Sequence, residues 1–470
     1  MTELSETARR AVEAALAAGA GEAEAYVSRD SGREVRVHGG EVESLTAATQ
    51  SGVGVRAWIG HRVGYAYGTD LSEPGVVAIA GRAAEAAGVA DEDEFAAPPK
   101  PAEVEALPGL SDPSVADWTT AEVADFALAV ERTALVADPR IAGVEQAVYA
   151  DSAERVSIAS STGVAGEYES SSCFAYLQAL AEGDGGRETG LGFGLARGPG
   201  GLDAEAIGAE GAERALSMIG ASKPASRSCP VVFDPTVAAS FAGLIGGALG
   251  ANAVQRGRSP FAGRLGEELA SEAFALHDDG RDPRGPASGP FDGEGLPRRR
   301  TALIEDGLLR SYLYDTYTAN REGRESTGSA ARHGYRSQPS VSASNLMVAA
   351  GALSLAELLG DAGSGVFVTD VAGLHSGVNP VTGVFSVGAS GRAIRDGELA
   401  EPVRSSRSPA TWSRCWARSS SRRGGRWVPF GRREHAAAAD RGDRDQQFVT
   451  AAPSPLLNCA DLQPRGGLST

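Results

Sequence analysis

Residues Gly373 to Gly391 read GLHSGVNPVTGVFSVGASG. Glycines at 373, 377, 383, 388 and 391 admit positive φ and close backbone approach, and Val384-Phe385-Ser386-Val387 alternates apolar and polar as a half-buried strand does. No catalytic constellation accompanies them. The pattern predicts a tight hairpin in a β-rich domain, built to hold backbone against backbone.

Working outward, the chain carries Val231-Val232-Phe233-Asp234-Pro235, Gly257-Arg258-Ser259, Pro290 to Gly295, Ile304-Glu305-Asp306-Gly307, Tyr312 to Thr318 and Ser326-Thr327-Gly328. In that order and spacing the segments resemble the TldD/PmbA family, also described as modulators of DNA gyrase and as TldD/TldE metallopeptidases. The resemblance runs from about residue 8 to about residue 403 and is densest after residue 230. It implies an α+β protein and a peptidase context with peptide substrates.

The resemblance also implies one of two branches. The TldD branch carries HExxxH on a helix, with two imidazoles for zinc and a glutamate beside the metal-bound water. The matching residues here are Gly243-Leu244-Ile245-Gly246-Gly247-Ala248. Gly243, Leu244, Gly247 and Ala248 offer no ligand atom, and no histidine lies between His61 and His277. The chain therefore resembles the PmbA/TldE branch. No metal or catalytic residue is expected in it, and zinc is expected in a TldD-like partner subunit, the pair forming a heterodimer that processes unfolded or precursor peptides. Two other readings are an independent peptidase with an unrecognised site and a peptide-binding module without enzymatic partner.

The chain has 470 residues, 42% of them hydrophobic, and a formal net charge of −17. That length suits two or three domains. The charge argues against nucleic-acid binding, which needs a basic face to displace counterions. No apolar run approaches the roughly 18 to 20 residues of a membrane span, so a cytoplasmic location is the expectation. Cys173, Cys229, Cys415 and Cys459 are too scattered for a disulfide framework, and idle or buried thiols are expected.

Periodicity predicts a small α/β domain over residues 1–90. It holds a helix Thr2 to Ala18, strands Ala23 to Ser28 and Glu34 to His38, a hairpin over Gly52–Ile59 and Arg62–Tyr67, and a helix Leu71 to Ala87. Residues 91–118, rich in proline and acid, read as a linker. A middle α+β domain follows over 119–225, with a helix Thr119 to Val136 capped by Thr119 and Glu122 and strands Val144–Ser152, Glu154–Ser161 and Gly163–Leu180. Its second helix is Asp203 to Ile219. Residues 226–403 read as a β-rich, barrel-like domain with a glycine-rich helix Pro235 to Gln255 and strand anchors at Leu303, Ser311–Tyr314, Gly365–Thr369 and Gly383–Val387.

Peptide-groove candidates are Tyr312, Tyr314, Asp315, Tyr317, Asn379, Gly388 and Ser390, with a packed aromatic stripe as the plainer reading of the tyrosines. His333 and His375 lack ligand spacing, and Asp278-Asp279 and Asp292 to Glu294 read as solvated acidic loops. Ser259 and Ser390 lack a GxSxG elbow. From Arg404 onward the composition changes to 12 arginines against 5 acids, with three of the five tryptophans. That Arg-Ser-Trp mix resembles GC-rich coding DNA read in a shifted frame, so residues 404–470 are expected to pack poorly.

Overall fold

The computed structural model describes residues 2–225, 227, 229–411, 427–429 and 449–451. They form two compact units. The first comprises Met1–Ile219, Asp279–Arg300 and Leu313–Asn345; the second comprises Gly220–Asp278, Thr301–Tyr312 and Leu346–Thr470.

The first unit is organised by one antiparallel sheet of six strands, β1 (Glu22–His38), β2 (Glu41–Ile59), β3 (Arg62–Gly68), β4 (Ile141–Ser160), β5 (Ala165–Gly183) and β6 (Gly186–Ala196), in the order β3-β2-β1-β4-β5-β6. β1 pairs with β4 from Glu24↔Ser160 to Val37↔Ala147, so the first two sequence segments share a single sheet. β1 and β4 were each expected as two short strands. Their polar middles interrupt the alternation, yet both are continuous because paired neighbours run past the interruption on either side. Arg33 there reaches Asp151 across the β1–β4 pair at 2.6 Å.

Helices α1 (Glu3–Ala17) and α2 (Glu73–Val89) cover one end of this sheet with small side chains, packing Leu4, Ala8, Ala11 and Ile79 on Val27, Val53 and Val55. Helices α3 (Thr120–Ala137) and α4 (Ala204–Leu216) cover the other end, with Val123, Val130 and Ile207 against Val35, Tyr149 and Leu177. The expected capping box of α3 is present between Thr119 and Glu122. Cys173 is buried beneath α3 and α4, and burial, followed by Asp151 and Asp112, pushes its thiol up to about 12. Cys229 is half-buried, and Cys415 and Cys459 lie outside the described residues.

β6 was not legible as a strand, because glycine at every second position weakens the propensity signal. Here those glycines let α4 lie directly on the strand. A Cβ on Gly190 would stand 2.2 Å from the Ala215 nitrogen, and one on Gly192 would stand 2.0 Å from the Ile207 carbonyl oxygen.

In the second unit, β7 (Val231–Phe233) leads into helix α5 (Pro235–Ala248). Next come the short strands β8 (Leu276–Asp279), β9 (Arg300–Glu305), β10 (Leu308–Leu309) and β11 (Leu346–Val348), which make a sheet of order β10-β9-β8-β11. Helix α6 (Leu355–Ala362) and strands β12 (Gly365–Ala372), β13 (Val384–Arg395) and β14 (Glu398–Thr411) complete the described core. β14, β13, β12 and β7 lie side by side, and Val449–Ala451 and Trp427–Pro429 extend the sheet beyond β7. β7 and β12 run parallel. α6 packs Leu355 and Leu359 on Val232, Phe367 and Ile394.

Three expectations are corrected. The helix expected over Pro235–Gln255 is broken at Leu249–Gly250, where Gly250 takes an extended backbone and its amide donates to the Gly247 carbonyl three residues back, and a separate short helix runs Ala251–Gln255. Ser311–Tyr314 is not a strand: only Leu313 makes an isolated bridge before the helix Thr316–Glu322 begins. Asp292 and Glu294 are buried rather than solvated, as is Asp278. Of the arginine-rich tail, residues 412–426, 430–448 and 452–470 lie outside the described residues. Among the described residues no helix is long and apolar enough to cross a membrane.

Candidate functional site

The segment with most bearing on chemistry is α5. Asp234 caps it by accepting from the Thr236 amide at 3.0 Å, and Pro235 occupies its first turn. Its anchored face carries Val237, Ala238, Phe241, Ala242 and Ile245. Phe241 sits with its ring centroid 5.2 Å from Phe233 of β7 and 5.1 Å from Phe385 of β13, tying helix and sheet together.

The six residues Gly243 to Ala248 divide between two environments. Gly243 and Gly247 are exposed, and a Cβ at either would meet nothing within 4 Å. Gly246 faces inward, where a Cβ would lie 2.3 Å from Leu346 of β11, so a neighbouring strand supplies the close packing that this glycine permits. Leu244 is half-buried and Ala248 is buried. Hydrogen and alkyl groups at 243, 244, 247 and 248 give zinc neither nitrogen, sulfur nor oxygen, so these residues do not fit the metal. Among the described residues no three His, Cys, Asp or Glu side chains cluster closely enough to hold a metal ion. His333 and His375 belong to different units.

The hairpin Gly373–Gly391 is built as its glycines suggest. Gly373 and Gly383 take φ of +83° and +68°. Leu374–Gly377 makes one helical turn, and Asn379 organises the reversal: its amide donates to the Val384 carbonyl at 2.8 Å, and its Oδ1 accepts from Val381 and Thr382. Asn379 is exposed, and Gly388 and Ser390 are half-buried on β13. β13 is paired along both edges, with a bulge towards β14 at Gly388, so it presents side chains and a local irregularity to a ligand rather than a free edge.

The tyrosine segment turns inward. Tyr312 is buried and donates its hydroxyl to the Phe261 carbonyl. Tyr314 is buried and donates to Glu322 at 2.8 Å, while Asp315 caps the helix Thr316–Glu322 by accepting from Thr318 at 2.8 Å. None of the three has the exposed surface that a groove requires. Tyr317 is half-buried, bonded to Asp93 at 2.8 Å, and lies beneath Arg321.

Sequence reasoning missed a buried charge network in the first unit. Glu24 on β1 and Arg56 on β2 stand opposite each other and pair in a fork, Nη2 to Oε2 at 2.6 Å and Nε to Oε1 at 3.1 Å. Arg56 also reaches Glu294 at 3.2 Å, and Arg332 binds Glu24 from the other side. The second oxygen of Glu294 accepts the Thr316 amide at 2.8 Å. Asp292 accepts three backbone amides, from Glu294, Leu296 and Ala330. Burial disfavours the charge on Arg56, but Glu24 and Glu294 outweigh it and hold the guanidinium above its ordinary value. Burial and then Glu294 raise Asp292. Glu24, Asp292 and Glu294 are each held by fixed partners, so the network clamps β1 and β2 to the segments around Asp292 and Arg332.

Three family descriptions match the chain in sequence: PmbA/TldA metallopeptidase domain 1 over residues 23–87, the central domain over 113–219 and the C-terminal domain over 226–415. The chain belongs to the PmbA/TldD metallopeptidase family. The metalloprotease PmbA of Escherichia coli O157:H7 is 29% identical over 392 residues, covering 81% of this chain and 82% of that one. A PmbA homologue of Haemophilus influenzae is 28% identical over 412 residues, 85% and 87% of the two chains. The solved structure of TldE from Thermococcus kodakarensis superposes with a TM-score of 0.83 at 20% identity, over 96% of this chain and 99% of that one, and shares the fold. Within this PmbA/TldD chain, the face of α5 at Gly243 and Gly247 and the hairpin around Asn379 are the candidate site.

Proposed function

We propose that this chain is the non-metal subunit of a two-subunit zinc peptidase, completing a TldD-like subunit that carries the zinc and acts on extended or unfolded peptides. The observation that carries the reading is the chemistry of α5: the helix is intact and capped, yet Gly243, Leu244 and Ala248 give zinc no donor. The exposed glycines leave a shallow, uncharged helix face against which another backbone fits closely. Asn379, Gly388 and Ser390 are the positions assigned to peptide contact, where recognition through backbone groups suits substrates of varied sequence. The proposed setting is the cytoplasm.

The test uses the purified chain alone and mixed with a TldD-like subunit. Alone, it is expected to bind less than stoichiometric zinc and to leave an unstructured peptide intact. The mixture is expected to form a stable complex and cleave, and replacing the histidines of the partner's HExxxH abolishes cleavage while the complex persists. Tight one-to-one zinc in this chain alone, with hydrolysis lost on chelation, overturns the proposal.

A further inference from the structure

Asp30 of β1 and Glu154 of β4 stand directly opposite each other in the long antiparallel pair. Like charges in that position destabilise a sheet, and both side chains are half-buried. Among the described residues neither carboxylate accepts a hydrogen bond or pairs with a base. Arg336 donates to Gln50, the β2 neighbour of Asp30, at 3.4 Å and to the Tyr335 hydroxyl at 3.2 Å, rather than to Asp30. Burial raises Asp30, and burial followed by Asp30 raises Glu154. The same face holds hydroxyls in the same condition. Tyr26 and Ser28 alternate with Asp30 along β1 and share its face. They are 6% and 4% exposed, yet among the described residues neither hydroxyl makes a hydrogen bond, and buried hydroxyls are ordinarily bonded. Tyr168 of β5 joins them from opposite Val156, its ring held edge-on by Phe291 at 5.0 Å. Burial and then Glu154 push its phenol up to about 12, while burial, then Tyr168, then Glu154 push that of Tyr26 well up. Both rings therefore bring their hydroxyls towards the Glu154 carboxylate without bonding it.

A ligand that satisfies all of these groups donates hydrogen bonds and carries positive charge. A metal ion suits them poorly, because hard divalent cations take about six or more oxygens and among the described residues no three His, Cys, Asp or Glu side chains gather. A cationic nitrogen fits: carboxylate and phenol oxygens accept from it, and aromatic faces attract it. We propose that Asp30 and Glu154 bind the basic side chain, lysine or arginine, of an extended peptide, with Tyr26, Ser28 and Tyr168 lining the site. This rests on the reading that the chain handles peptides, and it names their class. On β5 the same face continues through the half-buried Ser170, Ser172 and Phe174, which gives the peptide a surface beyond its basic group. Binding relieves the repulsion that the free chain carries between β1 and β4.

Isothermal titration of the full chain with an N-acetylated, C-amidated alanine–serine peptide carrying one central lysine is expected to show binding at least tenfold tighter than the same peptide with norleucine in its place. Asp30→Asn and Glu154→Gln each remove that preference, while Glu85→Gln, which deletes the same charge at an exposed position of α2, preserves it. Neither site substitution breaks a bond and both relieve repulsion, so the thermal midpoint of the free chain holds or rises, and the lysine peptide no longer raises it. Undetectable or equal binding of the two peptides, or a preference that survives both substitutions, overturns the proposal. So does a stoichiometric calcium or magnesium site lost in Glu154→Gln. Free lysine amide binding as tightly as the peptide, and lost in the same variants, leaves the cation site standing and removes the peptide as its bearer. Because no cleavage is read, failure here counts against this site and not against the subunit reading.

Discussion

Replacing Arg56 with methionine, which keeps most of the volume and removes the charge, tests whether the buried network holds the first unit together. The substitution breaks a fork to Glu24 and a contact to Glu294, all among buried groups. Removing one partner of a buried ion pair costs about 3–5 kcal/mol, because the charge left behind is uncompensated. Glu24 keeps Arg332, and Glu294 keeps the Thr316 amide, so the cost belongs at the low end, about 3 kcal/mol or roughly two orders of magnitude in the opening equilibrium. Hydrogen exchange at the paired amides of β1 and β2 reads that opening directly. The loss also has a pH signature. Burial already raises Glu294 above its ordinary value, and losing Arg56, which lowers it, raises it further. The folded form then binds protons more tightly, so the deficit shrinks as pH falls and grows as pH rises through the raised values. A second substitution, Glu294→Gln, is expected to recover part of the loss at neutral pH. A deficit below about 1 kcal/mol, the scale of an exposed pair, or one independent of pH refutes the argument.

Gly192→Val forces a side chain into the Ile207 carbonyl; a loss of at least about 1–3 kcal/mol is expected from overpacking, seen as a lower urea midpoint for the first unit. Gly247→Ala fills open space on a helix and is expected to raise the stability of the second unit by about 1 kcal/mol, measured by exchange at the α5 amides; destabilisation would mean that the helix face is covered.

Elements with strong local signals were legible. α3 declares itself through Thr119 and Glu122, and the hairpin over β2 and β3 through its alternation. Long-range consequences were not. Glu24 and Arg56 look like ordinary polar residues of alternating strands, and only register places them opposite each other under a loop that arrives more than two hundred residues later. The same burial turns Asp292 and Glu294, acidic in a glycine-rich loop, into core groups. β6 hid behind its glycines, whose purpose is visible only once α4 lies on them. At α5, by contrast, the identities of Gly243, Leu244, Gly247 and Ala248 are read directly from the sequence.

The division of the chain into units has a consequence for synthesis. The first unit draws on Asp279–Arg300 and Leu313–Asn345 as well as Met1–Ile219. Arg56 therefore waits for Glu294, and Glu24 for Arg332, while the chain leaves the ribosome. At about 5–20 residues per second, the stretch from Ile219 to Asn345 takes roughly 6 to 25 seconds, during which the long sheet stands without its final charge partners. A fragment ending near residue 220 would inherit that unfinished state permanently. A change of reading frame after Val403 would not, because the last residue this unit needs has already been made.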